Sequence, residues 1–329
     1  MKTIPRLRFA HLPTSIETMP RLSSALGGPA LLVKRDDQTG LALGGNKTRK
    51  LEFLLAEAQA HGARTIITAG AVQSNHCRQT AAAAARCGMG CILVLSGDPP
   101  PSSTGNLLLD ELLGAEILFT PGSQRDQTLK ETFESAWRDG RRPYLVPYGG
   151  SNPTGASGYA FAMKELVEQC QASSIPGCPP DWIVFPSSSG GTQAGMLVGA
   201  QLFGFHGQIL GISVDQPSQE LKEMVASLAT ATAEHLGESL TYNPGDVLVN
   251  SNYLGGGYGV MGEPEREAIE LFARTEGLIL DPVYTGRAAA GMIDLIRKGF
   301  FPKEASVLFW HTGGTPAIFA ERYQQLIQV

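Results

Sequence analysis

Short apolar runs alternate along this chain with longer stretches whose apolar positions recur every three or four residues, and glycine or a capping residue marks most changeovers. The run Ala30-Leu31-Leu32-Val33-Lys34-Arg35 has the length and composition of a buried strand. The periodic stretch that opens beyond Gly44-Gly45 and stops near His61-Gly62-Ala63 predicts a helix closed by a glycine. The same pattern then repeats. Strands are predicted at 65–69, 91–95, 115–119 and 143–147, with helices at 78–86, 106–113 and 126–137 between them. Such alternation implies parallel strands joined by right-handed crossovers.

Tyr148-Gly149-Gly150-Ser151-Asn152-Pro153 breaks the rhythm, and its glycines and proline suit a crossing between domains. A second series follows it. Helix 159–171, strand 182–185, helix 193–203 and strand 209–214 lead, after a further helical stretch, to helices 264–275 and 288–298, stopped by Gly277 and Gly299, and to a last strand at 306–310. No internal repeat or low-complexity tail is present, and Pro99-Pro100-Pro101-Ser102-Ser103 reads as a surface loop. A chain of 329 residues has the length of two domains.

In open α/β sheets, ligands sit beyond the carboxyl ends of strands, where helix N-termini present unpaired amides. Four polar or glycine-rich segments fall at such places. Ser187-Ser188-Ser189-Gly190-Gly191-Thr192-Gln193-Ala194-Gly195 lacks the lysine ending of a nucleotide P-loop and the full GxGxxG spacing, so a single phosphate monoester suits it best. Gly70-Ala71-Val72-Gln73-Ser74-Asn75-His76 offers amide and hydroxyl groups fit for a carboxylate, although a plain helix cap by Ser74 or Asn75 explains the same residues. Leu280-Asp281-Pro282-Val283-Tyr284-Thr285-Gly286 and His311-Thr312-Gly313-Gly314-Thr315 each place hydroxyls just past a strand.

Lys47 stands beyond a glycine turn at the start of a helix, where an amine either is solvated, binds phosphate or forms a Schiff base with a carbonyl. Lys50 shares its helical face, close enough to add a second cation, while Arg49 is expected to face solvent. One such lysine, one phosphate cup and one carboxylate cup together describe pyridoxal 5′-phosphate holding an amino acid.

Composition narrows the alternatives. With 43% hydrophobic residues, 17% charged residues and a net charge of −5 dispersed along the chain, no basic face is available for nucleic acid. The N-terminal residues lack a signal-peptide core and no apolar run is long enough to span a bilayer, so a cytoplasmic protein with no membrane partner is expected. The five cysteines show no paired CxxC spacing, which argues against a structural metal and suggests mostly buried free thiols. Cys77 beside His76 is a poor nucleophile and base, because neighbours on a helix diverge.

The segments GGNKTRKLE, AVQSNH, SSGGTQAG, GYG at Gly257-Tyr258-Gly259, DPVYTG and HTGG stand in one order. In that order, and over nearly the whole chain, the sequence resembles the D-cysteine desulfhydrase and 1-aminocyclopropane-1-carboxylate deaminase family of fold type II pyridoxal phosphate enzymes. The resemblance implies an α/β fold of two open, twisted, mostly parallel sheets flanked by helices, with the cofactor between a small domain, 50–157, and a large one, 1–49 with 158–329. It also implies a homodimer. Lys47 would be the Schiff-base lysine, Asn75 would reach the ring hydroxyl, and Ser189, Gly190, Gly191 and Thr192 would cup the phosphate with Lys50 nearby. Ser74, Asn75 and His76 would receive the substrate carboxylate, and Tyr258 and Tyr284 would flank the reacting amino acid.

Within that family, ring-opening deaminases carry Glu after the DPVY tyrosine and Leu in the last loop, whereas this chain has Thr285 and Thr312, both expected at the cofactor. A hydroxyl near the pyridine nitrogen leaves a weaker electron sink than a carboxylate does. The expected reaction is therefore α,β-elimination from a small amino acid, with D-cysteine giving pyruvate, sulfide and ammonia. The α-proton acceptor is the freed amine of Lys47 or a tyrosinate. L-cysteate would need extra donors, from His76 or Thr315. Cyclopropane-ring opening, D-serine or β-chloro-D-alanine elimination, a non-catalytic cofactor-binding protein, and a serine hydrolase using Ser74 or Ser188 with His311 are the weaker readings. The hydrolase lacks a GxSxG elbow.

Overall fold

The apolar runs and amphipathic stretches form ten strands and eleven α-helices in a computed structural model that describes residues 2–172 and 174–326. The chain starts with β1 (Ile16–Thr18), α1 (Pro20–Leu26) and β2 (Ala30–Lys34), then enters α2 (Asn46–Ala60). Next come β3 (Thr65–Ala71), α3 (Asn75–Arg86), β4 (Gly90–Ser96), α4 (Gly105–Leu112), β5 (Glu116–Thr120), α5 (Arg125–Arg138) and β6 (Pro143–Leu145). Helix α6 (Pro153–Ala172) leads to β7 (Trp182–Ser187), α7 (Gly191–Phe203), β8 (Gln208–Ser213), α8 (Ser218–His235) and β9 (Leu248–Asn250). The remainder is α9 (Glu263–Glu276), α10 (Thr285–Arg297), β10 (Ser306–Trp310) and α11 (Glu321–Gln324).

Six strands form one sheet in the order β1-β2-β10-β7-β8-β9, and four form a second in the order β5-β4-β3-β6. Every pairing is parallel except β1 with β2. The α/β class with two mostly parallel sheets is thus the fold observed. Strands such as β10, buried at all five positions, carry unbroken apolar runs because helices cover both faces of the sheet.

Some elements escape the sequence pattern. Strands β1 and β9 have three residues each, too few to show a period. Helix α6 begins at Pro153, six residues before the expected Tyr159, because its glycines are not loop residues. A Cβ at Gly158 would collide with the Arg49 carbonyl of α2, so close packing of α6 on α2 compensates for the poor helix propensity of glycine. Cys170 and Cys178, expected as free thiols, are joined in a disulfide with their Cα atoms 5.2 Å apart, well within the usual span. Cys77 and Cys91 are free and buried.

Arg49 also departs from expectation. Helix α2 is buried on nearly all sides, so the face opposite Lys47 meets protein instead of water. There Arg49, 2% exposed, donates to both oxygens of Asp36 and both oxygens of Glu165. Lys34 and the Tyr159 hydroxyl complete the cluster. Among the described residues, no helix is long and apolar enough to cross a membrane, and no group of side chains suits a metal ion.

Candidate active site

The strand-end loops of both sheets converge on one cavity. Lys47 enters it from the first turn of α2. That turn exists because Gly45, at φ +128°, lies hard against Gln79 and the Thr312 carbonyl, where no side chain fits. Lys47 has no hydrogen-bonding or ionic partner among the described residues, and burial alone pushes its amine down to about 8. The amine is therefore partly neutral, hence nucleophilic, near physiological pH.

Lys50 stands behind the cavity wall, donating to the Gly149 carbonyl at 3.1 Å and to Ser151 Oγ at 3.3 Å. Burial, and then the neighbouring Lys47, hold its pKa well below that of an ordinary lysine. Ser151 Oγ continues the chain, 2.8 Å from Ser189 Oγ and accepting from the Gly191 amide at 3.2 Å. Ser189, Gly190 and Thr192 line the cavity at the start of α7, with Gly190 in the left-handed region at φ +76°. Gly191 lies just behind them.

Ser74, Asn75 and His76 line the opposite wall at the start of α3. Ser74 caps the helix by accepting from the Cys77 amide at 3.2 Å, which leaves its hydroxyl proton available. The His76 ring behaves differently from expectation. Thr68 donates its own proton to the Val146 carbonyl and so accepts from His76 Nε2–H at 2.9 Å. His76 Nδ1 is left as a buried acceptor without a partner among the described residues, and burial, reinforced by Lys47, keeps the ring neutral. The ring thus cannot donate to a carboxylate, whereas the first-turn amides of Asn75 and His76 are suited to do so.

Tyr284 and Thr312 line the same cavity, but Tyr258 lines its neighbour and reaches the site through a 2.6 Å hydroxyl contact with Tyr284. Thr285 is not brought to the lining. Its hydroxyl donates to Asp281 Oδ1 and accepts from the Asp281 amide, both at 2.7 Å, closing a cap at the start of α10. Thr315 likewise turns away, donating to the Ile279 carbonyl. Tyr148 and Gly149 are lining residues that sequence reasoning assigned only to a domain crossing. The signal was present, because Tyr148-Gly149-Gly150-Ser151 is a glycine-rich loop beyond a strand end.

Among the described residues, no aspartate or glutamate lines the cavity. Two buried amines with no facing carboxylate, beside a helix N-terminus and several hydroxyls, make a site that welcomes a phosphate dianion. The residues therefore fit pyridoxal phosphate. They do not fit hydrolase chemistry, since the ring nitrogens of His311 are engaged by the Gly313 amide and the Ile279 carbonyl. The Cys77 thiol, pushed well above the usual range by burial, is equally unsuited to attack.

Comparison with known proteins agrees with this geometry. Residues 7–313 match the model of a family described as pyridoxal-phosphate dependent enzyme. The structure of an ACC deaminase homologue is similar at 36% identity and a TM-score of 0.88, covering 98% of this chain and 95% of that one. An L-serine ammonia-lyase from the fungus Rhizomucor miehei shares the fold at 17% identity and a TM-score of 0.68, with 97% of this chain and 99% of that chain covered. The processed form of threonine deaminase isoform 2 from Solanum lycopersicum does so at 16% and 0.66, with 97% and 83% covered.

Proposed function

This chain belongs to the pyridoxal-phosphate-dependent enzyme family, and on that premise we propose that it eliminates the β-substituent of a small amino acid, with D-cysteine yielding pyruvate, sulfide and ammonia. When bound, the cofactor supplies the electron sink for charge developing at Cα. Lys47 would hold it covalently, with Ser189, Gly190, Gly191 and Thr192 around its phosphate and Lys50 behind them.

The observation that carries the reading is the absence of any carboxylate from the cavity lining. Without one, nothing in the wall stabilises a protonated ring nitrogen, which favours a reaction with a good leaving group over the opening of a carbon ring. His76 adds a second constraint. A sulfonate is rich in acceptor oxygens and needs donors, but His76 Nε2 is engaged by Thr68, its Nδ1 is buried, and Thr315 is turned elsewhere. A thiol or hydroxyl, which calls for fewer donors, suits this wall better than the sulfonate of L-cysteate.

The amides of Asn75 and His76 with the Ser74 hydroxyl would fix the substrate carboxylate and thereby the direction of its Cα–H bond, an effect that strongly lowers barriers. For the α-proton, the freed Lys47 amine is the better acceptor. Burial, followed by the neighbouring phenols, pushes Tyr258 and Tyr284 well above their ordinary range, so both stay protonated and serve as donors. Pyruvate release measured side by side from D-cysteine, L-cysteate, D-serine and 1-aminocyclopropane-1-carboxylate tests the proposal. Fastest release from D-cysteine is expected; release from L-cysteate alone would overturn it.

A further inference from the structure

Arg78 is a fully buried guanidinium on α3 that no expected role requires. Its Nη1 donates to Asn75 Oδ1 at 3.1 Å and to Asn106 Oδ1 at 2.6 Å, and its Nη2 donates to the Gly44 carbonyl at 2.8 Å. Three segments meet on this one side chain: the start of α3, the start of α4, and the glycine turn from which Lys47 projects. Burial of the cation lowers its pKa to about 10, opposed by Asp110 and Asp281. Burial also raises the Asp110 carboxyl to about 8, so it carries little charge near neutral pH, and the Arg78 Nε has no hydrogen-bond partner among the described residues. A cation held in so dry a place is expensive unless its hydrogen bonds are made well.

Asn75 Oδ1 receives Nη1 of Arg78 and, at 2.8 Å, Nδ2 of Asn106. Both of its acceptor positions are then filled. The amide has a single remaining orientation, with Nδ2 directed away from Arg78 and alongside Gly314, and it meets no acceptor there among the described residues. We infer that Arg78 is a positioning residue that locks Asn75 as an N–H donor facing the cavity and holds that donor in register with Lys47 through Gly44. The inference rests on the family's cofactor being bound at this cavity, not on which substituent leaves.

An N–H that donated to the cofactor's ring oxygen would lower that oxygen's affinity for protons. The pH midpoint of the bound cofactor's visible absorbance therefore reads the donor directly, without turnover. Asn75→Ala should raise the midpoint by about one pH unit, the equivalent of one good hydrogen bond. Arg78→Met should raise it to a similar extent, and the double variant should go no further than Asn75→Ala alone, because both changes remove the same contact. Arg78→Lys keeps the charge but cannot span Asn75 and Gly44 together, so it should give a smaller upward shift and serves where Arg78→Met fails to fold. A guanidinium that merely stabilises this region would lower the melting temperature and leave the midpoint in place. A wild-type midpoint in Arg78→Lys or Arg78→Met holoenzyme, or full additivity in the double variant, overturns the assignment. Absence of D-cysteine turnover by the wild-type holoenzyme, with the variants' midpoints as expected, would overturn only the proposed substrate.

Discussion

Arg49 grips Asp36 through two parallel hydrogen bonds, Nε to Oδ2 and Nη2 to Oδ1, each 2.8 Å long and each buried, two positions beyond the reactive lysine. The fork geometry is one that arginine forms and lysine cannot. Glu165 of α6 accepts from Nη1 and Nη2, both at 2.9 Å. The helix presenting Lys47 is thereby fastened to β2's end on one side and to α6 on the other.

Arg49→Met should cost about 4 kcal/mol, since it leaves Asp36 and Glu165 buried without their main counter-charge. Denaturant unfolding of purified protein measures this, and a change under about 1 kcal/mol would show that the cluster is only a surface-grade ion pair.

The same cluster predicts a specific acid sensitivity. Burial opposes the charged forms of Asp36 and Glu165, but the Arg49 guanidinium outweighs it and brings both carboxyls below their ordinary range. Groups with depressed folded values stabilise the fold above the unfolded-chain pKa of about 4 and lose that contribution as pH falls through the folded values. Stability should therefore drop below about pH 4 in the wild type. Asp36→Asn should start lower and show a shallower drop.

Thr285 tests a different part of the site. With its hydroxyl joined to Asp281 on both its donor and acceptor sides, Thr285→Val should destabilise the protein by about 1–3 kcal/mol. An unchanged melting temperature would mean that the hydroxyl's two bonds to Asp281 do not hold the turn before α10.

How much of this was visible in the sequence depends on what each residue's environment required. The strand and helix alternation was legible because sheet and helix periods are local, and the Lys47, Ser189–Thr192 and Ser74–His76 segments stood out as polar loops among apolar runs. Arg49 was misread because a cation on the far face of a helix normally meets water, and only the packing of α6 against α2 shows otherwise. The reorientation of His76 depends on Thr68 and Val146, one on a neighbouring strand and the other some seventy residues away, a relation no local pattern encodes. The Cys170–Cys178 bond was hidden for a related reason, since spacing alone does not say whether the chain turns back on itself.

On the proposed mechanism, the tyrosines and Lys47 would divide the proton transfers. Tyr284→Phe should slow turnover by about 10²-fold, in the range of one lost general acid, and should keep the cofactor's absorbance. Lys47→Ala should remove both. Equal loss from the two variants would move the α-proton acceptor from the amine to the phenol.

The amine of Lys47 should also reveal its depressed pKa in apoprotein. Its value of about 8 predicts that the rate of absorbance gain on mixing with pyridoxal phosphate climbs through pH 8, where a normal lysine would respond near its ordinary value.

The most direct measurement is reduction of the holoenzyme with borohydride followed by peptide mapping. The pyridoxyl group should be recovered on the peptide bearing Lys47 and absent from that position in Lys47→Ala protein. Recovery on Lys50 instead, or no covalent attachment at any lysine, would contradict the account.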